Sequence, residues 1–475
     1  MTRGAKGYFA ATLVGQVAAL LRYVLLSRIL GPEQLGYAAM LILTAQFFEF
    51  ITDTSVDRFI VQDKDGDTTI MQKVVQLALF GRGCLLASAL VVTAIGMRLY
   101  DPTSTFCYSV AALAIPPLIS GLLNVDQYRA QRTGDFRPAS VVQVTSEISG
   151  LIGTGIAAFI VRDHTAILYG LAAKAVAQVV FSHLVAKRLY GWSYSRPEAA
   201  TFRRFAIPLF LNGLLLFFGG QGDRLLVGFL GPAELGKYSA ILLLIYYPTN
   251  VVLRFMQSIH MPRIAASRTE PELLRREARA LGGRSFLLAV GVIAGFTLVG
   301  PFMSPLLFGP SFAHRPEVFA LLAALEGARF LRLWPVTIAL AEGRTTIVML
   351  DNASRLVALP LAGLALLMTH SLEAILIALT FGEYISLVTT LWLLSRVTQV
   401  SLLRESGRLI MLLIVTTLAC LWALAVPAQQ MTAMGALLVA SLAATIWIVR
   451  SEHLVIREAI DVALSRLTAL RRRAT

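Results

Sequence analysis

The stretch "LGPEQLGYAAMLIL", from Leu30 to Leu43, returns later in the chain as "LGPAELGKYSAILL", from Leu230 to Leu243. The two copies are identical at six positions and share the order Gly-Pro, then Leu-Gly, then an apolar run. A turn that occurs twice, each time before a long apolar run, indicates that one structural unit is present twice in the chain.

The composition shows which medium surrounds these units. Of the 475 residues, 56% are hydrophobic and only 15% are charged, whereas a soluble domain is roughly 45–50% apolar and about a quarter charged. A helix that spans a bilayer needs about 20 mainly apolar residues, and such runs fill the chain almost from end to end. We therefore predict an all-α integral membrane protein with about 14 transmembrane helices. The predicted helices begin near Tyr8, Tyr37, Val74, Phe106, Ser140, Thr165, Phe205, Lys237, Ser285, Pro316, Ile347, Leu372, Leu409 and Met431.

The first apolar run and the cysteines have simple interpretations. Arg3 and Lys6 precede an apolar run of roughly twenty residues, which is longer than the core of a signal peptide, so we expect a retained first helix. The three cysteines, at positions 84, 107 and 420, lie far apart in apolar segments. Their spacing fits no metal site, and the sequence predicts neither a metal nor a cofactor.

The basic residues predict the orientation in the membrane. With the N-terminus in the cytoplasm, the loops on that side hold Lys187, Arg188, Arg196, Arg203, Arg204, Arg263, Arg268, Arg275, Arg276, Arg279 and Arg284. The opposite loops carry little beyond Arg28, Arg98, Arg162, Lys237 and Arg315. This asymmetry follows the positive-inside rule and puts both termini in the cytoplasm. It also explains most of the net charge of +14, so we expect contacts with anionic membrane lipids and none with nucleic acid.

The repeated turn joins the first and second helices of each of two six-helix groups. We predict an N-terminal lobe at residues 1–196, a C-terminal lobe at 197–400, two additional transmembrane helices at 401–450 and a basic amphipathic tail at 451–475. Because six is even, both lobes enter the membrane in the same orientation, as in transporters that are built from parallel repeats and bind their substrate between the halves. A weaker echo supports the duplication: "TGDFRPASVVQVTSEISG" follows the fourth helix and "EGRTTIVMLDNASRLVALPLAG" the tenth.

Charged residues inside the predicted spans carry most of the functional information. Eight basic residues facing lipid, at about 2.5–3.5 kcal/mol each, would cost on the order of 20–28 kcal/mol. This exceeds the ~5–15 kcal/mol by which a typical fold is stable, so most of them must pair, reach an interface or face water. The basic residues are Arg22, Arg82, Lys174, Arg224, Arg254, Arg329, Arg332 and Arg355, and the acidic residues are Glu49, Glu147, Asp223, Glu326 and Glu383.

Helical spacing favours a shared aqueous cavity. Asn250, Arg254 and Gln257 in the eighth span recur at intervals of four and three residues and share one helix face. Two other spans show polar stripes of the same kind, which comprise Gln46, Glu49 and Asp53 in the second and Gln143, Glu147, Gly150 and Thr154 in the fifth. We predict that the eight basic residues, with Asn250 and Gln257, line the cavity, and that Glu147, Asp223, Glu326 and Glu383 are candidates for coupling to a proton or sodium ion.

The alternative is that these polar side chains only hold helices together. It is strongest for Glu326 and Arg329, since their three-residue spacing lets them neutralise each other. Arg22, Arg28 and Arg355 can also extend to a membrane interface.

The chain resembles the polysaccharide transporter branch of the MOP superfamily, meaning Wzx-type flippases for lipid-linked oligosaccharides and, more distantly, lipid II flippases. The resemblance rests on "SRILGPEQLGYAA", "DRLLVGFLGPAELGKYSA" and "DQYRAQRTGDFR", and it extends over almost the whole chain. It implies twelve core helices in two lobes, a cationic cavity with alternating access, and an undecaprenyl-pyrophosphate-linked oligosaccharide as cargo. It also implies the bacterial inner membrane as location, and a polysaccharide polymerase and co-polymerase as candidate partners. Arg22 and Arg28 match paired basic positions of lipid II flippases, but Tyr23 stands where those proteins often carry an acid.

Two other classes of protein remain alternatives. A multidrug exporter of the same superfamily binds cations and usually has a carboxylate in its first helix, where this chain offers Arg22 instead. A polysaccharide polymerase or ligase typically places its catalytic groups in a large external loop, and every predicted external loop is short. The sequence therefore favours a transporter of an anionic cargo, and not an enzyme.

Overall fold

Long helices build the described part of the chain. The computed structural model describes residues 3–268, 270–397 and 406–425, and within them it contains helices and no strands. The helices are α1 Arg3–Ile51, α2 Val56–Gln62, α3 Thr69–Tyr100, α4 Phe106–Ala112, α5 Ile115–Ser120, α6 Asp126–Arg132, α7 Arg137–Val161, α8 Ala166–Leu184, α9 Arg196–Gly228, α10 Pro232–Ala266, α11 Pro271–Phe308, α12 Pro316–Ala341, α13 Thr345–Leu356, α14 Ala358–Thr369, α15 Leu372–Val397 and α16 Ser406–Ala425, with a short 3₁₀ helix at Pro310–Phe312.

The prediction of an all-α membrane protein is confirmed. Eight helical segments in the described residues are long and apolar enough to cross a membrane. The predicted spans that begin before Met431 each coincide with one helix, with part of a bent helix or with two consecutive helices. The last predicted span and the predicted basic tail lie outside the described residues.

The chain forms two compact units. The first comprises Met1–Leu244 and Ser304–Ala313, and the second comprises Ile245–Met303 and the described residues from His314 onward. These units are defined by contacts, whereas the predicted lobes at residues 1–196 and 197–400 are defined by the sequence repeat. The lobes and the appended segments remain predictions.

A glycine with positive φ stands in each copy of the repeated turn. Gly31 has φ 76° and Gly231 has φ 111°, a region in which a side chain is strained. Pro32 and Pro232 follow directly, and proline is favoured in the first turn of a helix because its φ is already helical. Each Gly-Pro pair therefore breaks one helix and starts the next, which bends α1 in its middle and separates α9 from α10.

The two repeated turns also pack against each other within the first unit. A Cβ atom on Gly36 would overlap the carbonyl group of Pro232, and a Cβ atom on Gly236 would overlap that of Pro32. The second glycine of each copy is thus required by the close approach of another backbone. The same position of the repeated sequence therefore makes the same contact in both copies.

Helix α12 forms the centre of the second unit. Most of its side chains between Val318 and Ala341 are buried, and α13, α15 and α16 pack on it. Buried charges need partners, so the two arginines in the middle of this helix, Arg329 and Arg332, must be paired within the unit.

Candidate functional site

The first unit holds two cations around one carboxylate. Arg22 lies on α1, Glu147 on α7 and Lys174 on α8. One carboxylate oxygen of Glu147 accepts from Lys174 Nζ at 2.6 Å, and the other accepts from Arg22 Nη2 at 3.2 Å. Only 9% of the Arg22 side chain is exposed, against 34% for Lys174. Because two positive charges share one negative charge, these three residues, the Glu147 cluster, remain cationic.

The polar stripe predicted on α7 faces the helices that complete this cluster. A Cβ atom on Gly150 would lie 3.0 Å from Arg22 Nη2 and 3.1 Å from Lys174 Cβ, so the glycine leaves space for both side chains. The buried Thr154 hydroxyl donates to the Gly150 carbonyl oxygen at 2.7 Å. Part of the stripe therefore serves helix packing, and part of it positions charges.

Two further arginines of the first unit contact neutral groups. Arg82 Nε donates to Thr52 Oγ1 at 3.2 Å, and Arg82 Nη2 donates to the backbone carbonyl oxygen of Glu49 at 3.1 Å. Arg224, which is 9% exposed, donates through Nη1 to Gln221 Oε1 at 2.9 Å. Within the described residues, neither guanidinium forms an ion pair with a carboxylate.

Asp223, a predicted ion-coupling residue, is held by neutral donors. Its carboxylate accepts the Tyr238 hydroxyl at 2.8 Å and the Arg224 backbone N–H at 2.8 Å. The side chain is buried between α9 and α10 of the first unit. These contacts support a structural role and leave the ion-coupling role a prediction.

In the second unit, Glu383 lies at the centre of an arginine network. Its Oε1 atom accepts from Arg329 at 3.0 Å and from Arg355 at 2.9 Å, and its Oε2 atom lies 3.4 Å from Arg332 Nε. Arg329 also pairs with Glu326 at 2.5 Å, as their three-residue spacing predicts. The Glu383 side chain is 4% exposed, so this charge depends on its partners.

Asp351 completes the network. It accepts from Arg332 at 2.7 Å and from the hydroxyl groups of Ser386 and Thr390 at 2.7 Å each. The resulting Glu383 network consists of Glu326, Arg329, Arg332, Asp351, Arg355 and Glu383, and it contains as many carboxylates as arginines. Asp351 is not among the residues that the sequence predicts, because its arginine partner lies on another helix and no local spacing reveals the pair. For Arg355 the sequence leaves a membrane interface as one alternative, whereas in the structure its guanidinium contacts Glu383.

Arg254 in the second unit has an amide partner. Its Nε atom donates to Asn250 Oδ1 at 2.9 Å, which fits the shared helix face that the sequence predicts. The Arg254 side chain is exposed, and Gln257, one turn further on, is half-buried. In the part of the chain that the structure describes, Arg254 forms no ion pair.

Arg28 caps a helix. Its Nε atom donates to the Leu307 carbonyl oxygen at 2.9 Å, and its Nη2 atom donates to the Leu306 carbonyl oxygen. These carbonyls belong to the last turn of α11, where a cation is favourable. This contact lies within the first unit and separates Arg28 from the charged clusters described above.

The motif "DQYRAQRTGDFR" anchors loops outside the predicted spans. The buried Asp126 carboxylate accepts from Arg129 Nε at 2.5 Å and from the Lys187 backbone N–H at 2.7 Å. Burial alone raises the pKa of Asp126, but these hydrogen bonds and the Arg129 charge outweigh it and hold the pKa below its ordinary value. Arg129 also pairs with Asp67 at 3.9 Å. The motif therefore connects three loops of the first unit.

The helical fold places charged clusters inside apolar helices that are long enough to cross a membrane, and charged residues at such positions mark a candidate functional site. Residues 25–315 match the family model described as polysaccharide biosynthesis protein, and the chain belongs to this family. A curated relative, the succinoglycan biosynthesis transport protein ExoT of Rhizobium meliloti (strain 1021), is 24% identical over 310 residues. That match covers 64% of this chain and 61% of the relative, which is less than two thirds of the relative's length.

Solved transporters share the fold at low sequence identity. Lipid II flippase MurJ in an inward closed conformation aligns with a TM-score of 0.64 at 12% identity, covering 95% of this chain and 99% of that chain. An inward-facing multidrug resistance MATE family transporter of the MOP superfamily aligns with a TM-score of 0.62 at 15% identity, covering 80% of this chain and 93% of that chain. The family match therefore shows membership of a polysaccharide biosynthesis family, and the alignments show that the chain shares the fold of these transporters.

Proposed function

We propose that this protein is a flippase that moves undecaprenyl-pyrophosphate-linked oligosaccharide repeat units from the cytoplasmic to the periplasmic leaflet for surface polysaccharide synthesis. One observation carries the proposal, namely that basic side chains outnumber their carboxylate partners. Within the described residues, Arg82, Arg224 and Arg254 have no carboxylate partner. Arg22 and Lys174 share one carboxylate, that of Glu147. Such a distribution leaves positive charge available for an anionic cargo.

The chemistry of the cargo fits this charge. A pyrophosphate carries about two negative charges at neutral pH, and hydrocarbon excludes it, as it excludes the attached glycan. Arginine offers a planar fork of donors that matches phosphate oxygens. Asn250 and Gln257, on the same helix as Arg254, supply amides that suit sugar hydroxyl groups. The polyprenyl chain remains in the lipid, so only the polar head has to cross.

The Glu383 network has a different proposed role. Its three arginines are matched by three carboxylates, so it offers little net charge to a ligand. We assign Arg329, Arg332 and Arg355 to holding α12, α13 and α15 together during transport. This revises the sequence-based expectation that they bind the cargo.

A multidrug exporter is the second candidate, because a MATE family transporter shares the fold. The described part of α1 contains Arg22 at membrane depth, and the acidic residues on this helix, Glu33 and Glu49, both follow the Gly31 bend. A cation would meet like charge at Arg22. The flippase proposal also includes the cytoplasmic position of both termini, a location in the inner membrane, and a polysaccharide polymerase as a partner.

Arg254 provides the direct test of an anion-binding role. We expect Arg254→Ala to lower polysaccharide export at least about tenfold while the protein stays inserted, and Arg254→Lys to restore part of it, because lysine keeps the charge but loses the fork. Export is measured in a strain that lacks the gene and is normalised to the amount of membrane-inserted protein. Arg268→Ala, at an exposed arginine in the loop after α10, is the matched control and should export normally. Normal export by Arg254→Ala would remove this residue from the site.

A further inference from the structure

The Glu147 cluster has an incomplete set of hydrogen bonds. Arg22 is nine-tenths buried, yet its guanidinium donates only through Nη2, to Glu147. Its Nε atom is buried and has no hydrogen-bond partner. A guanidinium has five N–H donors, and in the part of the chain that the structure describes, Arg22 uses them for the contact with Glu147. A buried donor without a partner is costly, and an anion bound beside Arg22 would satisfy it.

The carboxylate of Glu147 contacts the two cations in the way that an anionic ligand would. It places one oxygen on a cation from α1 and the other on a cation from α8. A phosphate group presents oxygens in the same way and has more of them, so it can satisfy donors that a carboxylate leaves unused. Gly150 keeps the space beside Arg22 free of a side chain.

We propose that Glu147 is a displaceable counter-anion, whose place on Arg22 and Lys174 is taken by a phosphate of the cargo during transport; this inference rests on the proposed flippase function. With no cargo bound, Glu147 neutralises one of two partly buried cations. With cargo bound, the carboxylate swings away, and its competition afterwards helps the phosphate to leave. A transport site has to bind strongly enough to load and weakly enough to release, and an internal competitor meets both demands.

Glu147→Gln tests the displacement with inorganic pyrophosphate as the probe. The amide keeps the size of the side chain and one acceptor oxygen but loses the charge that competes with the probe. We expect purified Glu147→Gln protein to bind pyrophosphate about tenfold more tightly than the unmodified protein, and to export less polysaccharide per inserted molecule because release is slowed. Glu147→Asp keeps the charge but is too short to reach both cations, and its affinity should lie between the two.

Controls separate the possible outcomes. Glu272→Gln removes one negative charge from a side chain that is 87% exposed and should leave pyrophosphate affinity unchanged. If Glu147→Gln binds pyrophosphate no more tightly than the unmodified protein, while Arg22→Gln weakens binding, the displacement is refuted and the anion site stands. If neither Arg22→Gln nor Arg254→Ala affects binding or export, the flippase proposal itself fails. Equal competition by phosphatidylglycerol would instead identify a lipid-headgroup site and overturn the inference.

Discussion

At the scale of single residues, the partner of a charged side chain decides its role. Arg254 donates to an amide oxygen, whereas Arg355 donates to the carboxylate of Glu383. An amide leaves the positive charge available to an incoming anion, and a carboxylate in ion-pair contact cancels it. We therefore propose different roles for these two arginines.

Glu383→Gln should distinguish a role in stability from a role in binding the cargo. The substitution leaves three arginines with one carboxylate fewer, and breaking a buried ion pair costs about 3–5 kcal/mol. We expect a lower melting temperature in detergent and less inserted protein, with normal export by each molecule that remains folded. Thermal unfolding and normalised export are measured together, with Glu272→Gln as a control for loss of charge. Lost export at unchanged stability would instead return the network to the binding site.

At the scale of helices, the repeated turn is a packing device. Gly31 and Gly231 supply the positive φ that redirects the chain, and Gly36 and Gly236 supply the close contact between the two copies. The contact is reciprocal, since each glycine faces the proline carbonyl of the other copy. Substitution of either glycine should therefore have a similar effect.

Gly36→Ala and Gly236→Ala test this symmetry. A methyl group at either position overlaps a backbone carbonyl, which cannot rotate away as a side chain can, and overpacking of this kind costs about 1–3 kcal/mol. We expect both variants to melt at a lower temperature by similar amounts. Gly291→Ala in α11 is the matched control, because nothing lies within 4 Å of its added methyl group. A large effect of only one of the two substitutions would contradict the reciprocal contact.

The helices were predictable because long apolar runs specify them locally, and the Glu326–Arg329 pair was predictable because both residues lie on one helix face. The break between α13 and α14 and the short helices α4 to α6 have no comparable signal. The partners of Arg22 and Arg332 lie on other helices, so sequence spacing carries no information about them. For this reason the cavity residues could be proposed from the sequence and remain a prediction, whereas the structure was needed to separate the arginines that contact carboxylates from those that contact neutral groups.

At the scale of the whole molecule, the loops of the first unit associate in two groups. Arg188, after α8, pairs with Asp67, before α3, at 3.4 Å. His164, before α8, bonds to Gln34 at 3.0 Å and to Ser109 at 3.1 Å. Because α8 separates Arg188 from His164, a helix that crosses the membrane puts the two groups on opposite sides. Fixing the side of one loop therefore fixes the side of the others.

Reporter fusions determine which side of the membrane each group of loops faces. Arginine and lysine are frequent in and beside the connections that follow α8 and α10, and basic connections stay in the cytoplasm. A reporter that is active only in the periplasm should be silent when fused after Gly191 or Arg268 and active when fused after Pro102. A reporter that is active only in the cytoplasm should give the opposite pattern at the same positions, which controls for expression. Periplasmic activity at Gly191 would show that the molecule has the opposite orientation. Periplasmic activity at Arg268 alone would mean that the two six-helix groups do not enter the membrane in the same direction. In that case the repeated turns would face opposite sides of the bilayer, which their mutual contact does not permit.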